Sequence, residues 1–226
     1  MSLYTLLLLG AISVPLTLSF DKKLQFYKQW KYLIPAIGIV ATVYLFFDYL
    51  FTIQGFWGFN SAHHSSCLWY GLPIEEWLFF FVIPYASIFL HDSILVYHNQ
   101  LKLNVNTTRL ITLTIIGLSV MVLAYNFEKS YTVYAFIKMI MVLSLSIFDK
   151  SQIISRFYIT FLFILVPFVI INGILTGSCI NEPVVWYNRQ EHLGIRVLTI
   201  PLEDFAYAFS LIAFVLFLRG QLRKLY

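Results

Sequence analysis

Seven runs of apolar residues, each long enough to cross a hydrocarbon layer, leave this chain of 226 residues little choice of environment. They are Leu3–Phe20, Tyr32–Phe51, Ile74–Tyr97, Leu110–Asn126, Tyr131–Phe148, Ile154–Ile174 and Pro201–Leu218. A spanning helix needs about 20 mostly apolar residues, with a few either way. Hydrophobic residues make up 60% of the chain and charged residues 12%. A soluble fold of this size has no means of hiding so much apolar surface. Backbone groups inside hydrocarbon must pair internally, and the runs lack the ten-residue alternation of a membrane β-barrel. The expected fold is therefore all-α: one integral membrane domain over residues 1–226 with about seven transmembrane helices. Leu3–Phe20 has neither a basic lead nor a small-residue cleavage site, so it reads as the first span rather than a signal peptide.

Alternating the connections gives two faces of unequal charge. One carries Lys22, Lys23, Lys28, Lys31, Lys102, Arg109, Lys150, Arg156, Arg219, Arg223 and Lys224; the other carries Lys129, Arg189 and Arg196. The bias predicts a multi-pass protein of the cell membrane with its N-terminus outside and its C-terminus cytoplasmic. The net charge of +4 is spread over short clusters and leaves no nucleic-acid footprint. Cys67 and Cys179 have no CxxC spacing and suggest no disulfide scaffold.

The third and seventh runs begin alike, with Leu72-Pro73-Ile74-Glu75-Glu76-Trp77 and Ile200-Pro201-Leu202-Glu203-Asp204-Phe205. Upstream of the first lie Asp48, Thr52, Trp57 and Asn60; upstream of the second lie Asn172, Thr176, Trp186 and Asn188. This self-similarity predicts two three-helix repeats, about 1–97 and about 131–226, joined by a linking helix at about 110–126. The extra helix makes the repeats parallel and brings both acidic motifs to one face of the membrane.

Carboxylates at the edge of hydrocarbon are costly, and function is the default reason for keeping them. An isolated acid pair after a helix-starting proline is equally well explained as a dipole cap contributing up to about 1 kcal/mol. Two such motifs at matching places weaken that explanation. Neighbouring helical residues point about 100° apart, so one acid of each pair can face the bundle while the other caps the helix. Glu75, Glu76, Glu203 and Asp204 are thus candidate acid–base groups. Asp48, Trp57, Asn60, Asn172, Trp186 and Asn188 are candidate supports, the two tryptophans as lining and the two loop asparagines as hydrogen-bond partners. His63, His64 and Cys67 form no complete ligand set, so no metal is expected. Lys138, in mid-span, either pairs with a carboxylate or reaches toward the interface, and His91-Asp92 belongs to the opposite end of the third helix.

Phe47-Asp48-Tyr49-Leu50-Phe51-Thr52, Gly55-Phe56-Trp57-Gly58-Phe59-Asn60 and Leu72-Pro73-Ile74-Glu75-Glu76-Trp77 resemble the first half of the lycopene cyclase domain family, the heterodimeric type of carotenoid cyclase. Pro183-Val184-Val185-Trp186-Tyr187-Asn188, Leu193-Gly194-Ile195-Arg196 and Thr199-Ile200-Pro201-Leu202-Glu203-Asp204-Phe205 are similar to its second half. The resemblance implies both halves fused in one chain, with lycopene or a related linear carotenoid as substrate. It implies protonation of a terminal double bond, ring closure through a carbocation, and loss of a proton. That isomerisation needs an acid, a base and a dry pocket, and no cofactor. The ten glycines form no G-x-G-x-x-G of a flavin enzyme. The alternatives are a membrane prenyltransferase-like enzyme, which needs Asp-rich Mg²⁺ clusters, and a small transporter built on repeats. A retinal-binding receptor needs a lysine in the last helix, and Pro201–Leu218 has none.

Overall fold

The computed structural model describes residues 1–149 and 151–225, so Lys150 of the basic face lies outside the described residues. The seven runs form seven helices: α1 (Leu3–Leu18), α2 (Trp30–Ile53), α3 (Ile74–Tyr97), α4 (Val105–Tyr125), α5 (Ser130–Phe148), α6 (Ile153–Leu175) and α7 (Leu202–Leu225). Six are long and apolar enough to cross a membrane, and α1 is the short one at 16 residues. At 1.5 Å per residue α1 spans about 24 Å, less than a typical hydrocarbon core. It ends before Phe20 because Ser19 turns back, bonding Pro15 O at 2.6 Å and the Tyr85 hydroxyl at 2.5 Å. Helix α4 starts five residues before its apolar run because Asn104 caps it, its Oδ1 accepting Thr107 N at 2.8 Å. Helix α7 outlasts its run and carries Arg223 and Lys224 in its last turn, cations that suit the negative end of a helix dipole.

Helices α2, α3 and α7 form the centre, with α1 packed on α3 and α5 packed on α7. Helix α6 closes the side between α3 and α7. Helix α4 rests on α5 at the rim and buries only Thr112 and Ser119, so most of its apolar surface faces outward.

Short strands cover the acidic end. β1 (Trp57–Phe59) pairs antiparallel with β4 (Val185–Tyr187), tying the loop after α2 to the loop after α6. β2 (Leu68–Trp69) and β3 (Leu72–Pro73) form a hairpin leading into α3, and β5 (Arg196–Val197) and β6 (Ile200–Pro201) form another leading into α7. Both tight turns need left-handed backbone, at Tyr70 (φ 49°) and Gly71 (φ 79°) in the first and at Leu198 (φ 57°) in the second.

The β1–β4 ladder corrects one reading of the sequence. Its central pair is Gly58 with Trp186, flanked by backbone bonds from Asn60 N to Val184 O and from Asn188 N to Phe56 O, both 2.8 Å. The counterpart of Trp186 across that symmetric ladder is therefore Gly58, and Trp57 faces Tyr187 instead.

Candidate active site

Each Pro-led helix start places its two acids in different surroundings. Glu75 turns into the cap of α1: its Oε1 accepts from Ser2 Oγ (2.7 Å), Thr5 Oγ1 (2.9 Å) and Ser65 N (2.8 Å), and its Oε2 from Ser65 Oγ (3.0 Å). Glu203 turns the equivalent way at α5, its Oε1 accepting from Thr132 Oγ1 (2.6 Å) and Leu193 N (2.7 Å). Their neighbours point into the bundle. Glu76 accepts a 2.5 Å bond from the Tyr4 hydroxyl. Asp204 accepts from the Tyr131 hydroxyl, from Asn172 Nδ2 (2.8 Å) and from the Tyr187 hydroxyl (3.1 Å).

Glu76 and Asp204 open into one cavity of about 550 Å³, and Asp48 reaches the same space from α2. All three carboxyls are at least 94% shielded, and the cavity wall is otherwise mostly apolar. Asp48 Oδ2 is buried and has no hydrogen-bond partner among the described residues. A buried carboxyl oxygen left bare costs several kcal/mol if ionised.

Aromatic rings line the acidic end. Trp57 stands edge-on to Tyr131 with centroids 5.0 Å apart, Tyr131 stacks on Tyr187 at 5.7 Å, and Tyr207 lies 6.4 Å from Tyr131. Ring faces of this kind stabilise a cation by roughly 0.5–2 kcal/mol each.

Of the candidate residues, Glu76, Asp204, Asp48, Trp57 and Asn172 meet at the cavity. Glu75, Asn60, Trp186, Asn188 and Glu203 do not line it. Asn60 Nδ2 donates to Glu182 Oε2 at 2.9 Å, and Asn188 Oδ1 accepts from Gln190 N at 3.1 Å, so both asparagines organise loops rather than the central carboxyls. Trp186 is 44% exposed and lies over Gly58. Lys138 takes neither course expected of it. Its Nζ donates to the Tyr134 hydroxyl and sits 3.3 Å from the Tyr44 ring centroid, within an aromatic cage behind the site.

Tyr4, Tyr131 and Tyr187 were not legible as site residues. One signal was present: Tyr4-Thr5 opens α1 and Tyr131-Thr132 opens α5, and in both the tyrosine serves the inward acid while the threonine serves its neighbour. His63 and His64 contribute locally, His63 O accepting from Tyr4 N and His64 Nδ1 meeting Ser65 O.

Among known proteins, one family model, described as lycopene cyclase, matches residues 1–94 and 128–220. Searches of curated proteins and of solved structures found no match.

Proposed function

The chain belongs to the lycopene cyclase family, and on that premise we propose that it closes rings on a linear carotenoid by cofactor-independent acid–base catalysis in the cavity bounded by Glu76, Asp48 and Asp204. The family supports a carotenoid cyclase role in a membrane-embedded protein. The observation that carries the finer reading is the meeting of three shielded carboxyls in one otherwise apolar cavity.

The chemistry requires a proton to enter and a proton to leave. Asp204, with three donors aimed at it, suits a carboxylate that holds its charge. Like charges in one dry space repel, so the Glu76–Asp48 side is where a proton is kept. The proton goes to the terminal double bond, the next double bond attacks the resulting cation to close a six-membered ring, and a carboxylate removes a ring proton. Atoms and electrons balance, and the product is an isomer of the substrate. Trp57, Tyr131 and Tyr207 face the developing cation.

An apolar substrate arrives through the bilayer. Leu6, Val14 and Ile170 line the cavity and are themselves exposed, which supports an entrance between α1 and α6 on the lipid side. The duplication of tyrosine, threonine and acid pairs supports two repeats sharing one site. The charge bias supports an acidic end on the non-cytoplasmic side, where exposed Cys67 and Cys179 would label with a membrane-impermeant thiol reagent in intact cells. Protection of both until lysis would reverse the orientation.

The functional test is pigment chromatography in a lycopene-accumulating host. Wild-type protein forms cyclic product, and Glu76→Gln or Asp204→Asn reduces it by about 10²–10⁴-fold. Unchanged pigment with well-expressed wild-type protein would sink the cyclase reading.

A further inference from the structure

We propose that the basic end of the bundle, opposite the acidic cavity, holds a binding site for the phosphate of an anionic lipid headgroup, built by Arg156, Arg219 and Arg223. A second cavity of about 420 Å³ lies there, between the segment after α1, the end of α3, the start of α6 and the end of α7. Along α3, Glu76 and Asp92 are separated by about 24 Å at 1.5 Å per residue, so this cavity is no extension of the first.

Its charge is unbalanced. Among the described residues, three arginines line it against one carboxylate, Asp92. Arg219 takes up that carboxylate in a bidentate pair, Nη1 to Oδ2 at 2.5 Å and Nη2 to Oδ1 at 2.9 Å. Among the described residues, neither Arg156 nor Arg223 has a carboxylate within ion-pair reach. Arg156 Nε is shut off from solvent and has no hydrogen-bond partner among the described residues. The remaining titratable group, His91, is held by its Nδ1 to Thr160 Oγ1 at 2.6 Å.

A guanidinium with unsatisfied donors is suited to phosphate, whose oxygens accept its fork in parallel. Gln29 in the same wall has a buried Oε1 without a partner, and a flipped amide would present a further N–H donor. The rest of the wall includes Leu24, Leu95, Val96 and Leu216. A free inorganic ion would leave that apolar surface uncovered. A headgroup with its glycerol and first methylenes covers both parts, and the cavity sits at the ends of spanning helices, where headgroups lie. Bound there, the lipid would tie α3, α6 and α7 together at an end where, among the described residues, no strands do so.

The test uses the full chain, purified in a non-ionic detergent and supplemented with phosphatidylglycerol, phosphatidylcholine or inorganic phosphate. Thermal unfolding and native mass spectrometry are the readouts. Phosphatidylglycerol should raise the midpoint by several degrees and remain as a mass adduct, while phosphatidylcholine and inorganic phosphate do neither. Arg156→Gln and Arg223→Gln should each weaken lipid binding by about tenfold, and Arg109→Gln, an exposed cation outside the cavity, should not. Equal shifts with both lipids on the unmodified protein would overturn the proposal, whatever the stability of the variants. An equal shift with inorganic phosphate alone would assign the site to a free anion and overturn the lipid reading.

Discussion

Tyr4, in the first turn of α1, donates a 2.5 Å hydrogen bond to Glu76, in the first turn of α3, 72 residues later. Tyr131 in α5 makes the same connection to Asp204 in α7, across 73 residues. In each case the first turn of one helix delivers a phenol to the acid that begins the helix two further along the chain. The two acids differ in what else they receive. Asp204 also collects Asn172 and Tyr187, while on the Glu76 side Asp48 brings another carboxyl to the cavity. The two tyrosine–acid bonds match, while the groups around the two acids differ in charge, which suits the proposed reaction, in which one side gives a proton and the other takes it.

The phenols give the first prediction. Tyr131→Phe and Tyr4→Phe keep the ring packing and delete one donor to a buried acid. A hydrogen bond to a charged group is worth about 1.5–3 kcal/mol, so turnover should fall by roughly 10–100-fold if the bond acts on the reacting carboxyl. Product formation per folded protein checks it. Unchanged rates in both variants would remove the tyrosines from the mechanism.

The β1–β4 ladder gives the second. A Cβ on Gly58 would lie 2.7 Å from Trp186 Cε2, too close for either atom to remain where it is. Gly58→Ala should cost about 1–3 kcal/mol of stability through overpacking. Adding Trp186→Ala should recover part of that loss, because the two sites share the contact. Thermal unfolding of the single and double variants measures the coupling, and strict additivity would show that the close approach is not the cause.

Much of this architecture could be read from the chain because the bilayer makes apolar length a direct signal, and Pro73 and Pro201 mark the starts of the two acid-bearing helices. The inward acids could not be chosen from sequence. Glu75 and Glu76 differ only in azimuth, and that is fixed by Ser2, Thr5 and Ser65, residues on other segments. The pairing of Trp186 is hidden from the sequence for a related reason. Strand pairing aligns the loops on Asn60 and Asn188, and the one-residue offset that puts Gly58 opposite Trp186 leaves no trace in residue type. The surroundings of Lys138 are a tertiary fact, since the aromatic rings that converge on it come from α2, α5 and α7.

His192 gives a pH-dependent prediction. Burial pushes its imidazole below the usual histidine range, opposed by the Glu203 charge. Its Nδ1 accepts from Gly194 N at 3.0 Å, a bond that protonation of that nitrogen would break. The folded state therefore binds a proton less readily than the unfolded chain. Stability is fully present above the unfolded value of about 6.5 and is lost as the pH falls below that and through the lower folded value. His192→Asn, which keeps an acceptor at the δ position but cannot titrate, should flatten the unfolding midpoint between pH 8 and pH 5. An equally steep acid decline in that variant would place the titration elsewhere.

The last prediction separates the members of each acid pair. Glu203 uses only Oε1, while its buried Oε2 has no partner among the described residues. In Glu203→Gln the amide oxygen can keep the bonds from Thr132 and Leu193, and the NH₂ takes the unpartnered place. In Glu75→Gln the oxygen can keep Ser2, Thr5 and Ser65 N, and the NH₂ can donate to the Ser65 hydroxyl, which turns to accept it. Both variants should fold, with losses of about 0.5–2 kcal/mol typical of a weakened helix cap. Neither acid reaches the cavity, so product formed per folded protein should stay within a few-fold of wild type. Glu76→Gln and Asp204→Asn are just as conservative in shape but remove a charge or a labile proton from the cavity itself, and should lose about 10²–10⁴-fold. All four variants are assayed for pigment conversion after normalising for folded membrane protein. If Glu75→Gln or Glu203→Gln abolishes turnover while remaining folded, the outward acids take part in proton transfer, and the division of labour within each pair is wrong.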